Sequence, residues 1–473
     1  MPTSVRVRMY RPGYGDCLLL TVTEGDAEAR HILIDCGVHH KDTLGHKRLP
    51  LVVKSIQATC GGHIDLVVVT HDHVDHQSGF LQSKADFAQL AMDRLWLAWT
   101  ENAADPLAKR ILADRAAKVR ALVALSASTE FALSAATREA IGFLAPLAAT
   151  DGQSDALSAL RKMVGEPAIT FCEPSAAPLS IPEMPGLRFY VLGPPRDEAV
   201  FLKSRPMEAG SDMYALSAIP GDDAAFLAAA MGHLGVSEEP TSGWDEVTEL
   251  SYPFNRDERL HVPPKASASP STGTESPDAA YFREHYCRAE DAWRRIDHDW
   301  ESPAGRLALA VQRNINNTSL VLALELVESG RVLLFVGDAQ IENWQSWQQC
   351  RWNVDRNGRT VEVRAKDLLA RTVLYKVGHH GSRNATAKGD GLELMASREL
   401  VAFIPVDPSF AAQEGWSHPW PGLVTALQGK TINRVAQSNP GQASVFSDGA
   451  SSGFVSTQDV NALYLDYVVS DER

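Results

Sequence analysis

Apolar residues along this chain fall into short runs, and several of the runs end abruptly in residues that carry chemistry. Near the start, Val5, Val7 and Met9 alternate with Arg6 and Arg8, the period-2 pattern of a half-buried strand. Residues 66–69 (Leu-Val-Val-Val) form a continuous apolar run that leads straight into Thr70-His71-Asp72-His73-Val74-Asp75-His76. Residues 332–336 end in Gly337-Asp338, and residues 373–377 in Gly378-His379-His380-Gly381-Ser382. Residues 401–406 are followed, some way on, by Ser417-His418-Pro419. Short apolar runs bounded by small or polar residues predict buried strands. Their shared grammar predicts a sheet whose strand ends converge on one site.

Two long stretches interrupt this pattern. Residues 84–168 are rich in Ala and Leu with helical periodicity over 106–125 and 131–147. A strand resumes at 187–192 and stops at Gly193-Pro194-Pro195. A second excursion covers 196–305, with an Ala-rich helix near 222–234 and a helix over 281–300 that carries Trp293 and Trp300 on one face. Between these helices, residues 262–279 are mostly Pro, Ser, Thr, Gly and Ala, too poor in apolar surface to order themselves, and predict a mobile loop. The chain is therefore expected to form one domain over 1–473 with insertions at 84–168 and 196–305. The insertions are expected to cap the site, to restrict it to short or single-stranded substrates, or to bind a protein partner.

The segment after residue 69 is the strongest chemical signal. In an extended or tightly turned loop His71 and His73 project to one side and can share an ion, while Asp75 and His76, entering a helix, turn toward a second. Zinc takes imidazole nitrogen and carboxylate oxygen at about 2.0–2.2 Å. A solvated His-rich loop would need none of the surrounding order, whereas here buried strand, ligand loop and Gly79 follow in sequence. Asp72 points away from its neighbours, to solvent or to a supporting contact. Asp35 either orients a ligand or forms the turn before Gly37, and Asp16 is read similarly.

Taken together, His71-x-His73-x-Asp75-His76, Gly337-Asp338, His379-His380-Gly381-Ser382 and Ser417-His418-Pro419 resemble the metallo-β-lactamase fold superfamily. The branch most similar contains the hydrolase domain of ComEC-type competence proteins. Pro12-Gly13-Tyr14-Gly15-Asp16, Ile32-Leu33-Ile34-Asp35-Cys36-Gly37 and Asn316-Asn317-Thr318-Ser319-Leu320-Val321 resemble motifs of that branch. The resemblance covers roughly residues 5–82, 187–193, 315–340 and 372–428. It implies an α/β fold, the four-layer αβ/βα sandwich, and a dinuclear site holding two divalent ions, zinc with manganese as the compatible substitute. His71 and His73 would hold one ion, Asp75, His76 and His418 the other, and Asp338 would bridge.

The superfamily's third His on the first ion has no counterpart here, since the strand at that place offers Asn316 and Asn317. His379 or His380 is expected to fill the vacancy, with His380 favoured at the metal and His379 the candidate general acid at the substrate. Asn317, Ser382 and Arg383 are expected to support the ligands or contact an anion. Where the branch often carries Asp, this chain has His73, closer to the ordinary dizinc pattern. The implied activity is hydrolysis by a metal-bound hydroxide, with a phosphodiester as the preferred substrate class. A carboxylic ester, lactone or thioester is the alternative, and a non-catalytic partner-binding protein the second alternative.

Composition constrains the partners. With 22% charged and 44% hydrophobic residues the chain has an ordinary globular balance. No apolar run approaches the ~20 residues of a membrane span, and the strand beginning at Val5 leaves no space for a signal peptide, so a cytoplasmic protein is expected. The six cysteines show no zinc-finger spacing and are expected to be reduced, with Cys17 and Cys36 in the core. A formal charge of −14 repels polyanions, which favours small or single-stranded phosphodiesters over long duplex.

Overall fold

The structure is a computed structural model that describes residues 2–127, 133–148, 152–201, 281, 285, 301–356, 358–438, 454–455 and 463–472. The strands are β1 (Thr3–Tyr10), β2 (Cys17–Glu24), β3 (Arg30–Cys36), β4 (His63–Ile64), β5 (Leu66–Val68), β6 (Ala91–Met92), β7 (Leu95–Ala98), β8 (Ile169–Cys172) and β9 (Leu187–Gly193). They continue with β10 (Val321–Leu326), β11 (Val332–Phe335), β12 (Arg351–Arg356), β13 (Arg359–Arg364), β14 (Thr372–Lys376), β15 (Val401–Ile404), β16 (Val435–Gln437), β17 (Phe454–Val455) and β18 (Tyr464–Ser470). The fold is mixed α/β.

An eight-stranded sheet has the order β17-β18-β1-β2-β3-β5-β7-β8, and a six-stranded sheet the order β16-β15-β14-β11-β10-β9. Strands β3, β5, β7 and β8 pair in parallel in the first sheet, as do β11, β14, β15 and β16 in the second. Parallel neighbours end on the same side, so the loops after β3 and β5 lie together, as do those after β11 and β14. In open α/β sheets such carboxyl ends are where sites form.

Period-2 alternation sorts the side chains. Val5, Val7, Met9, Leu18, Leu20, Ile34 and Val68 of the first sheet share one apolar cluster with Phe189, Leu322, Leu324, Phe335 and Phe403 of the second. Trp96 and Phe189, from different sheets, meet edge to face at 5.0 Å, a contact worth about 0.5–1.5 kcal/mol beyond its buried area. The opposite face of the first sheet packs Leu33, Val67 and Leu97 on Leu49, Val53, Ile56 and Phe80 of helices Thr43–Cys60 and Val74–Gln82. The opposite face of the second packs Val321, Leu334 and Tyr375 on Trp344, Trp347, Leu368 and Leu427 of helices Ile341–Trp347, Ala365–Ala370 and Pro421–Thr431.

The chain divides into two compact units. One comprises Met1–Arg115, Ala149–Lys203 and Gln312–Arg473 and holds both large sheets; the other comprises Ala116–Ala148 and Ser204–Val311. The helical periodicity over 106–125 is realised as helix Pro106–Ala127 and that over 131–147 as helix Ala135–Leu144. The stretch 84–168 is not wholly an inserted segment, however: it contributes β7 to the first sheet, and its helix Asp155–Val164 adds Leu157 and Leu160 to the core beneath. Strand β7 (Leu-Trp-Leu-Ala) is too short to show a period against its helical flanks. The expectations for 222–234, 262–279, Trp293 and Trp300 lie outside the described residues. Cys17, Cys36, Cys60, Cys172 and Cys350 are buried free thiols; Cys287 is outside the described residues. Among the described residues no helix is long and apolar enough to cross a membrane.

A buried carboxylate ties the hairpin β12–β13 to the second sheet. Glu325 accepts from Tyr190 Oη (2.7 Å) and is paired with Arg188 (3.2 Å), Arg371 (2.5 Å) and Arg356. Burial would raise its pKa, but the hydrogen bonds from Arg371 and Tyr190 and the arginine charges carry it below the ordinary 4.5. The three guanidinium groups are partly exposed, which screens the gain. Glu325→Gln should therefore destabilise by about 2 kcal/mol at neutral pH. A carboxylate with a depressed folded-state pKa stabilises above its unfolded pKa, and that stability is lost as pH falls through the folded value. Urea denaturation should accordingly show the wild-type advantage shrinking below about pH 4.5.

Candidate metal centre

Each putting its last residue or its loop at the same place, β3, β5, β11 and β14 build the centre. The turn before β2 supplies Asp16, β3 supplies Asp35, the loop after β5 supplies His71 and His73, and the first turn of helix Val74–Gln82 supplies Asp75 and His76. Asp338 follows β11, and His379 and His380 follow β14. Close backbone approach makes this possible. A Cβ on Gly37 would lie 2.4 Å from the Asp75 carbonyl carbon, and one on Gly337 would lie 2.8 Å from Thr70 Cβ; Gly337 also has φ +54°. Asp35, His379 and His380 adopt left-handed backbone (φ 55°, 44° and 51°), a conformation that costs on the order of 1 kcal/mol each and is concentrated at functional positions.

One ligand atom from each of Asp75, His76, Asp338 and His380 lies within 4.8 Å of all the others, and all four residues are buried. His380 Nε2 is 2.9 Å from Asp75 Oδ2 and 4.0 Å from Asp338 Oδ2, and His76 Nε2 is 3.3 Å from the same Asp338 oxygen. On its other side that oxygen is 4.0 Å from His71 Nε2, which is 3.1 Å from His73 Nδ1. Asp338 Oδ2 thus stands between the two groups, while Oδ1 turns back to accept from the His379 backbone N–H at 2.9 Å. Ligand atoms 3–4 Å apart have the spacing of polyhedron edges around an ion with bonds of about 2.0–2.2 Å. Asp75 Oδ1 and His76 Nε2 are buried and make no hydrogen bond, which leaves them to a ligand at this point. The residues fit a divalent cation.

The atoms behind the ligands orient them. Asp35 accepts from Thr70 N (2.8 Å) and Thr70 Oγ1 (2.7 Å), and its Oδ2 lies 2.9 Å from His76 Nδ1. His380 Nδ1 donates to the Pro405 carbonyl at 2.7 Å, which turns Nε2 inward. Thr70 Oγ1, its proton given to Asp35, accepts from His71 Nδ1 at 3.1 Å. Asp72 is buried, accepting from Ser154 N (2.8 Å) and Gln77 Nε2, so its role is to hold the ligand loop.

Burial pushes His71 and His73 down, His73 to about 3, which keeps them neutral donors. Burial would lower His76 too, but Asp338, Asp16 and Asp35 carry it well above its usual range. Burial opposes ionisation of Asp75, yet the hydrogen bond from His380 and the charge of His76 hold it below the carboxylate range. The group as a whole attracts positive charge.

Two ligand expectations change. His418 is not in the group; its Nδ1 meets the Tyr14 hydroxyl at 2.6 Å. His380 takes the place beside Asp75, His76 and Asp338, rather than completing the His71–His73 pair. The residues 407–420 after β15 include the helix Pro408–Gln413, and this longer path seats His418 against Tyr14. His379 lies on the outer side, half-buried, with Nδ1 2.8 Å from Ser382 Oγ and Nε2 3.4 Å from Asn316 Nδ2. Asn317 is remote from the ligand atoms in its bonding: Oδ1 accepts from Gln340 N and its carbonyl from Asn343 Nδ2, fixing the turn that carries Asp338. Arg383 is exposed, its guanidinium 5.3 Å from the Trp420 ring centre.

Lys376 and Thr70 belong to the site without a role expected from the sequence. Lys376 is buried with Nζ ion-paired to Asp16 and donating to the Gly337 carbonyl at 2.9 Å. Its signal was a lone charge inside the apolar run 373–377. Comparison with protein families, with curated proteins and with solved structures returned no match.

The two histidines of changed position make a direct contrast. His380→Ala should remove most bound zinc, whereas His418→Ala should retain it, as measured by elemental analysis of protein purified from zinc-supplemented growth. Equal loss in both variants would restore His418 as a ligand.

Proposed function

We propose that this protein is a metal-dependent hydrolase of phosphodiester bonds, built on a metallo-β-lactamase-like αβ/βα sandwich. The carrying observation is the buried group Asp75, His76, Asp338 and His380, with the His71–His73 pair reached through the same Asp338 oxygen. Two sheets sharing one apolar cluster, each with helices on its other face, support the sandwich. Asp75, His76, Asp338 and His380 would hold one divalent ion, and His71, His73 and Asp338 a second, zinc or manganese. A pair of divalent ions in such a site acidifies water and neutralises charge on the oxygens of a reacting ester.

The chain's own residues supply proton handling and orientation. Ser382 Oγ donates to Asn384 Oδ1 at 2.9 Å and so accepts from His379 Nδ1, leaving His379 Nε2 as the basic nitrogen on the outer side. From there it can take a proton and return it to the leaving oxygen. Asn316 Nδ2, 3.4 Å from that nitrogen, and the exposed Arg383, next after Ser382 in the chain, are the donors that would meet an anionic substrate. The formal charge of −14 works against long polyanions and favours short or single-stranded phosphodiesters.

Zinc- or manganese-loaded protein should hydrolyse bis(p-nitrophenyl) phosphate and short single strands faster than plasmid at equal phosphodiester concentration. Turnover of lactones or thioesters with no phosphodiester cleavage would move the assignment to carboxylic esters. Asp75→Ala should abolish hydrolysis with an unchanged circular-dichroism spectrum, since Asp75 lies in a helix's first turn rather than in the shared core. His379→Ala should keep its metal and lose turnover by about 10²–10⁴-fold, the usual range for a general acid or base.

A further inference from the structure

Lys376 ends β14 and is 1% exposed. A buried ammonium without partners costs several kcal/mol, so its surroundings must offset that cost. Its Nζ is ion-paired with Asp16, donates to the Gly337 carbonyl at 2.9 Å and lies 3.8 Å from Asp338 Oδ1. Asp16 in turn faces the rear nitrogens of two candidate ligands: its Oδ2 is 3.7 Å from His76 Nδ1 and its Oδ1 3.6 Å from His380 Nδ1. One side chain therefore touches both the carboxylate behind His76 and His380 and the turn that carries Asp338.

The same neighbourhood contains a second set of ligand-type atoms, from Asp16, Asp35 and His76, within 4.8 Å of one another and buried. By composition it could take a cation as well as the outer group. The Lys376 ammonium is paired with Asp16 there, and Thr70 already donates twice to Asp35.

We propose that Lys376 is a positioning residue whose ammonium is the resident counter-cation of Asp16, holding the inner carboxylate behind His76 and His380 and the Gly337–Asp338 turn in register, so that the divalent ion is taken by the outer group. The inference rests on the reading that Asp75, His76, Asp338 and His380 bind a divalent ion. Removing the ammonium leaves a buried, uncompensated carboxylate 3.6–3.7 Å behind two ligands and frees the Gly337 carbonyl. Removing both charges together removes the uncompensated carboxylate.

The test is zinc affinity, by competition with a chromophoric chelator, for full-length wild type, Lys376→Met, Asp16→Asn and the double variant, with thermal melts beside each. Lys376→Met and Asp16→Asn should each weaken zinc binding by about 10–100-fold, the range seen when a residue supporting a metal ligand is lost. The double variant should recover most of that loss, as two residues acting through one ion pair require. If Lys376→Met does not fold, Asp16→Asn and the double variant decide: weakened binding in Asp16→Asn with recovery in the double variant supports the proposal, and wild-type affinity in Asp16→Asn overturns it. A folded Lys376→Met with wild-type affinity, or a folded double variant with affinity as poor as a single one, overturns it. Wild type that binds no zinc and no manganese would sink the metal reading itself, a failure seen before any variant is made.

Discussion

Four carboxylates buried at one place set the terms for the rest of this structure. Asp16, Asp35, Asp75 and Asp338 are between 0% and 4% exposed. Like charges this close and this dry repel strongly, and each has also lost its water. The surroundings offset that cost locally, by the Lys376 ammonium, the imidazoles of His76 and His380, two donations from Thr70, and the His379 backbone N–H. A chain that only needed a stable core would place apolar residues here. The retained charge is the physical basis of the proposal that this point holds a cation.

Bringing these groups together requires both sheets. Asp35, His71 and His73 come from parallel strands of the first sheet, and Asp338 and His380 from parallel strands of the second. Parallel pairing aligns the strand ends within each sheet, and the shared apolar cluster holds one sheet to the other. The glycines at 37 and 337 then let loops approach to distances that a side chain would forbid. The cost is carried as left-handed backbone at Asp35, His379 and His380. The hydrophobic effect fixes the layers, and the electrostatics of the site select the loop conformations on top of them.

Around the ligands the division of labour is spatial. The inner side, with Asp16, Asp35 and Lys376, is fully buried. The outer side carries His379, Ser382 and Asn316, with Nδ1 of His379 bonded to Ser382 Oγ and Nε2 accepting from Asn316 Nδ2 at 3.4 Å. His418, joined to Tyr14, belongs to an aromatic set with Trp416 and Phe410, and Tyr14 itself lies 4.3 Å ring to ring from His380. Through Tyr14 this set packs against the His380 ring.

Much of this was legible in the chain itself. The apolar runs at 66–69, 332–336, 373–377 and 401–406 became β5, β11, β14 and β15, because a buried strand between layers needs continuous apolar residues and admits few other readings. The clustering of His71, His73, Asp75 and His76 was likewise local, since side chains within six residues of one another stay near each other in any loop-to-helix turn. What depended on tertiary structure was every relation between distant segments. His380 and His418 look equivalent in sequence, yet strand pairing put one against Asp75 and loop length put the other against Tyr14. Strand β7 was hidden in a helical stretch, because its assignment comes from its neighbours β5 and β8 and not from its own period. Lys376 was a single polar residue in an apolar run, and only the fold, by setting Asp16 beside it from some 360 residues away, gave its charge a partner.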